Sequence, residues 1–162
     1  HLMTIKVGDK LPDATFNTMS PEGPKPMTTA DVFGGKKVVL FAVPGAFTPT
    51  CHNTHLPGFI QMAGDMKSKG IDTIACVSVN DVFVLSAWAK QTGAEGKIVF
   101  LADGAADFTK KVGLEFDLTA RGLGVRSRRY SMVVDNGVVK SLNLEEGAVV
   151  DKSSAATVCT ML

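Results

Sequence analysis

The chain has 162 residues, with 17 Lys plus Arg against 16 Asp plus Glu for a formal charge of +1, and 45% of its residues are hydrophobic. That length fits one domain with a sizeable core, the near-neutral charge removes the electrostatic basis for binding nucleic acid or an acidic membrane surface, and a mean hydropathy of +0.17 is too high for disorder. The longest apolar run, Val38 to Phe47, is broken by Pro44 and Gly45 and falls well short of the roughly 20 residues a membrane helix needs, so the reading is a soluble protein that uses neither nucleic acid nor membrane.

His1-Leu2-Met3 reads as a vector-derived remnant before a start Met, leaving residues 4–162 as a single domain. The first 35 residues, with Pro12, Pro21, Gly23, Pro24 and Pro26, predict turns and short strands. Val38 to Pro44 is an unalternating β-branched and aromatic run, the pattern of a strand covered on both faces, and Ile71–Val79 and Ile98–Ala102 repeat it. Between the first two, Leu56, Phe59, Ile60, Ala63 and Met66 recur at helical spacing before Gly70. Asp81 can cap a second helix carrying Val84, Leu85 and Trp88, and a third, short one runs from Phe108 to Val112. That alternation predicts an α/β fold with parallel strands and right-handed crossovers. Tyr130–Asp135, Asn136-Gly137 and Val138–Leu144 predict a hairpin, because Asn-Gly supplies the positive φ angles of a type I′ turn. Ser153 or Ser154 then caps a last helix to Leu162.

The three cysteines, Cys51, Cys76 and Cys159, are an odd number without a Cys-x-x-Cys pair, which suggests reduced thiols rather than a disulfide scaffold or zinc ribbon, and with them a cytoplasmic location. An organellar protein freed of its transit peptide would read the same. Cys51 ends the string Pro44-Gly45-Ala46-Phe47-Thr48-Pro49-Thr50-Cys51, which joins the buried strand to the first helix. Unpaired N–H groups and the macrodipole at a helix N-terminus favour an anion, so a Cys in the first turn is favoured as the thiolate. Thr48, three residues earlier, can place a hydroxyl beside the sulfur. From position alone Cys51 is either such a reactive thiolate or a small buried hydrophobe. A metal site from Cys51, His52 and His55 would need a further ligand that the sequence does not offer, so His52 and His55 read as surface or capping residues. Pro57 predicts a kink in the helix, since it cannot bond the Asn53 carbonyl.

Pro44-x-x-x-Thr48-x-x-Cys51 resembles the active-site signature of the peroxiredoxins, thiol peroxidases with a thioredoxin-like fold, and P-G-A-F-T-P-T-C-H-N-T-H-L-P-G-F resembles their type II, peroxiredoxin-five-like branch. The likeness continues through Val77–Lys90 and Arg129–Val139 and covers the chain from about Ile5 to Leu162. It implies a cofactor-free enzyme in which the Cys51 thiolate attacks a hydroperoxide and becomes a sulfenic acid. Donors to the peroxide oxygens would be the Thr48 hydroxyl, the backbone N–H groups of Thr50 and Cys51, and a guanidinium, assigned by similarity to Arg129. The same carry-over has Pro44 shielding the sulfur and aromatics such as Phe47 supporting a homodimer. Arg121, Arg126 and Arg128 read as a solvated loop with structural ion pairs.

Cys76 sits where many type II members carry a second cysteine, so it is a candidate resolving residue. Its place inside a strand argues against that role, because a disulfide needs Cα atoms within about 7 Å. With a resolving Cys, thioredoxin is the natural reductant; without one, glutathione or glutaredoxin reduces Cys51 directly. Cys159 lies in the last helix, whereas the family's C-terminal resolving Cys lies upstream of it, where Val149–Ser153 contains none. Cys159 therefore reads as a packing residue or an incidental exposed thiol. His52 stands where the family often has Ser. A thioredoxin-fold interaction or chaperone-like protein without turnover is the alternative reading.

Overall fold

A computed structural model describes residues 4–147 and 149–162; the expected remnant at residues 1–3 lies outside them. In chain order the strands and α-helices are β1 (Thr15–Ser20), β2 (Gly23–Thr28), α1 (Thr29–Phe33), β3 (Lys37–Val43), α2 (Leu56–Ser68), β4 (Thr73–Ser78), α3 (Val82–Thr92), β5 (Val99–Ala102), α4 (Asp107–Lys111), β6 (Glu115–Leu118), β7 (Gly124–Ser127), β8 (Tyr130–Asp135), β9 (Val138–Leu144) and α5 (Ala155–Thr160).

The apolar runs form the middle of a seven-stranded sheet ordered β2-β1-β5-β4-β3-β8-β9. β3 pairs in parallel with β4, and β4 with β5, while β8 is antiparallel to β3. The side chains of β3 alternate between two cores: Val39, Phe41 and Val43 join Leu56, Phe59, Met66, Leu85 and Trp88 on one face, and Val38, Leu40 and Ala42 join Phe16, Phe33 and Phe108 on the other. Burial on both faces is why these strands carry no polar alternation.

Local signals fix most ends. Asp81 accepts from Val84 N at the start of α3, and Gly93 closes it at φ 74°. Asn136 and Gly137 turn the β8–β9 hairpin at φ 47° and 80°. Ser154, the second of the two capping candidates, caps α5. The Pro-rich opening segment is a β1–β2 hairpin followed by α1, and the small antiparallel β6–β7 sheet has no counterpart in the sequence reading. The helix after β3 differs from the expected kinked α-helix. Its first turns include a five-residue π-turn, Cys51–His55, in which Leu56 N bonds back to Cys51 O, and Pro57 falls in the first turn of α2. A widened turn absorbs the missing N–H ahead of the proline.

Candidate active site

Parallel pairing brings the C-terminal ends of β3 and β4 to one edge, so the loops that follow them meet. Asn80, just beyond β4, accepts through Oδ1 from Ala46 N at 3.0 Å and from Ser78 Oγ at 2.6 Å. On the other side Arg126 donates from Nη1 to the Pro44 carbonyl at 3.1 Å and from Nε to Leu123 O at 2.9 Å. A Cβ at Gly45 would stand 2.7 Å from Arg126 Nη1, so only glycine lets the guanidinium this close. Phe47 adopts φ 62°, a strained value for an aromatic residue, and the supported loop keeps it there. Asn80 was not singled out from the sequence, and Arg126, read there as part of a solvated loop with ion pairs, is instead half-buried and binds carbonyls, with no ion pair among the described residues.

That loop delivers Cys51 to the first helical turn, where the N–H groups of Thr50 and Cys51 have no intrahelical acceptor behind them. Cys51 is fully buried. Arg129, immediately before β8 and 2% exposed, donates from Nη2 to Cys51 Sγ at 3.0 Å. No carboxylate pairs with Arg129 among the described residues. The guanidinium charge is therefore directed at Cys51 Sγ and His55 rather than at a carboxylate.

Arg129 Nη1 contacts His55 Nδ1 at 2.8 Å, and His55 Nε2 contacts the Ser153 carbonyl at 3.0 Å. Because a guanidinium only donates, Nδ1 accepts, and Nε2 carries the proton it donates to Ser153. Burial, then the Arg129 charge, pushes the His55 pKa down to about 4, against the pull of Ser153 and Glu145. His55 is neutral at physiological pH. It is 1% exposed and its side chain makes no cap bond, which corrects its reading as a surface or capping residue. A signal was available: His55 lies on the buried 55-59-63-66 stripe, one turn before Phe59.

Thr48 departs from its expected donor role, because its hydroxyl donates to the Gly45 carbonyl at 2.6 Å. What it leaves free are lone pairs, so Thr48 can accept a proton-bearing oxygen. Pro44 is half-buried at the rim. His52 accepts from Trp88 Nε1 at 3.0 Å and stacks against Phe47, with ring centroids 5.9 Å apart. Cys76 lies in the middle of β4, opposite Phe41 of β3 and Phe100 of β5. Burial, then the Cys51 charge, holds its thiol well above the ordinary range. Cys159 packs in the same core as Cys51 and Cys76, and burial raises its thiol also. Among the described residues no group of three or more His, Cys, Asp or Glu is placed to hold a metal ion, and no helix is long and apolar enough to cross a membrane.

Comparison with known proteins places this geometry in context. The Redoxin family profile matches residues 6–159. The chain is 54% identical over 156 residues to peroxiredoxin-2E, chloroplastic, of Arabidopsis thaliana, covering 94% of this chain and 67% of that one. It is 48% identical over 161 residues to peroxiredoxin-2C of Oryza sativa subsp. japonica, covering 98% of each. Among solved structures, reduced Prx3 in complex with H2O2 from Vibrio vulnificus matches with a TM-score of 0.94 at 50% identity, over 98% of this chain and 99% of that one.

Proposed function

As a member of the Redoxin family, in its peroxiredoxin branch, the chain is a thiol-dependent peroxidase with a thioredoxin-like fold, and we propose that Cys51 is its nucleophile and that hydrogen peroxide and small alkyl hydroperoxides are its substrates. The Cys51 thiolate attacks one peroxide oxygen, the O–O bond breaks, and the other oxygen leaves as water or an alcohol after taking the proton of the attacked oxygen. Cys51 is left as a sulfenate, which takes a proton from solvent to become the sulfenic acid.

Negative charge moves from sulfur to the departing oxygen during this step. Arg129 Nη2 contacts the sulfur and can follow that charge, the N–H groups of Thr50 and Cys51 at the same helix start can donate to it, and the lone pairs of Thr48 take the hydroperoxide O–H. Pro44 limits water at the rim. The observation that carries the reading is the 3.0 Å bond from the buried Arg129 guanidinium to Cys51 Sγ. Two equivalents of thiol reduce the sulfenic acid back to Cys51. The burial of Cys76 in a central strand supports direct reduction by glutathione or glutaredoxin over a thioredoxin-dependent 51–76 disulfide.

Phe47, 42% exposed beside the site, supports a homodimer through this face. For location the reading is the cytoplasm or, as for the relatives named chloroplastic, an organelle. The deciding experiment follows peroxide consumption with a thiol reductant: Cys51→Ser abolishes it, and wild-type turnover by that variant would overturn the assignment.

A further inference from the structure

Glu145 is 2% exposed and takes no part in the chemistry above. It follows β9 directly, and its N–H donates to the Arg129 carbonyl at 3.0 Å, extending the β8–β9 ladder one step beyond Tyr130 and Leu144. Its side chain turns to another segment. A single oxygen, Oε2, accepts from Asp151 N at 2.6 Å, Ser153 N at 2.8 Å and Ser153 Oγ at 2.7 Å. Burial opposes the charge on this carboxyl, but these bonds outweigh it and hold the group below the ordinary carboxylate value. No Lys or Arg pairs with it among the described residues. A buried carboxylate is a costly way to close a turn, and the turn it closes presents the Ser153 carbonyl to His55.

We propose that Glu145 is a positioning residue of the peroxidase site: its carboxylate shapes the 151–153 turn so that Ser153 O meets His55 Nε2, which aims Nδ1 at Arg129 and thereby holds the guanidinium on Cys51. The bonds form a closed circuit, from the Arg129 carbonyl through Glu145, Ser153 and His55 back to the Arg129 guanidinium. Arg129 Nε has no partner, so the guanidinium is held at two points, His55 and Cys51. When the sulfur takes up oxygen, its own hold on Arg129 changes. His55 is then the fixed anchor, and Glu145 fixes His55. The Ser153 carbonyl also selects the neutral tautomer that leaves Nδ1 as acceptor, so a displaced turn would lose orientation and tautomer together.

This role rests on the peroxidase reading, and the test separates the two. Glu145→Gln keeps the shape and an acceptor oxygen but removes the charge, whereas Glu145→Ala removes the anchor. Oxidation of Cys51 by hydrogen peroxide in a single turnover is followed through the fluorescence of Trp88, the one tryptophan, which donates to His52 beside Cys51. The expected result is a rate constant roughly 10-fold lower in Glu145→Ala and about 3-fold lower in Glu145→Gln. The 15N spectrum of His55 should show protonation appearing at Nδ1. In a His55→Ala background neither substitution should slow oxidation further, because both act through the same chain.

A wild-type rate in folded Glu145→Gln overturns the proposal, as does a slowing of full size in the His55→Ala background. If Glu145→Ala does not fold, the Gln variant decides. Peroxide consumption by Cys51→Ser, measured alongside, would instead overturn the underlying reading.

Discussion

Arg129 is held by both ends of its fork, Nη1 on His55 and Nη2 on Cys51, and this division decides what each substitution removes. Arg129→Ala takes away a charge-stabilising donor in a buried site, and Cys51 oxidation should slow on the order of 10²- to 10³-fold. Arg129→Lys keeps the charge but has one nitrogen for two partners, so stopped-flow rates should place it nearer the alanine variant than the wild type. His55 contributes a pH dependence of known sign. Its pKa falls from 6.5 to about 4 on folding, so the unfolded chain takes up a proton between those values that the folded protein refuses. Stability should therefore fall as pH drops from about 6.5 towards 4 and level off below, by up to roughly 3 kcal/mol from this one group. Urea unfolding of wild type and His55→Gln at pH 7 and pH 4.5 measures it: the difference between the two proteins should change between the two pH values, and a difference that stays constant would refute this account of His55.

At the level of the element, the active-site loop is braced from both sides, and its tightest point is Gly45. A methyl there would meet Arg126 Nη1 at 2.7 Å and Thr48 Cγ2 at 3.1 Å. Arg126 can swing away but then releases the Pro44 carbonyl, so Gly45→Ala should cost about 1 kcal/mol of stability and slow peroxide oxidation, and Arg126→Ala in the same chain should relieve the clash without restoring the rate. Thermal melts and single-turnover rates on the three variants check this. The strands and longer helices around the loop were legible because their causes are local: β-branched runs for β3, β4 and β5, Asp81 and Gly93 at the ends of α3, Asn136-Gly137 between β8 and β9. Cys51, Thr48 and Pro44 were legible as a motif. His55 was legible as a buried residue through its spacing to Phe59, but not as a partner of Arg129, because that contact joins residues 74 apart in the chain and carries no local signal. Glu145 and Ser153 carry no local signal: they meet only once the hairpin and the turn before α5 have closed. β6 and β7 are four residues each, too short for alternation to show.

Across the whole molecule, the question left by the three cysteines is what happens to Cys51 after oxidation. Cys51, Cys76 and Cys159 share one core, yet of their three sulfur atoms only that of Cys51 accepts a bond from a cation; Lys69 reaches Cys159 at its backbone carbonyl. Cys76 is fixed by two parallel ladders in the interior of the seven-stranded sheet, opposite Phe41 and Phe100. To reach a sulfenic acid on Cys51 it would have to bring its Cα within about 7 Å, and a thiol held above its ordinary range by burial and by the neighbouring Cys51 charge is a poor nucleophile. Releasing it means opening the centre of the sheet, which belongs to the most stable part of such a domain and opens rarely. One equivalent of hydrogen peroxide, with glutathione present, should therefore leave a glutathione adduct on Cys51 and a free thiol on Cys76, with the same turnover in Cys76→Ser as in wild type. Mass spectrometry after quenching distinguishes the outcomes: a 51–76 disulfide forming on the time scale of turnover would show that the sheet opens during the cycle and that thioredoxin is the natural reductant.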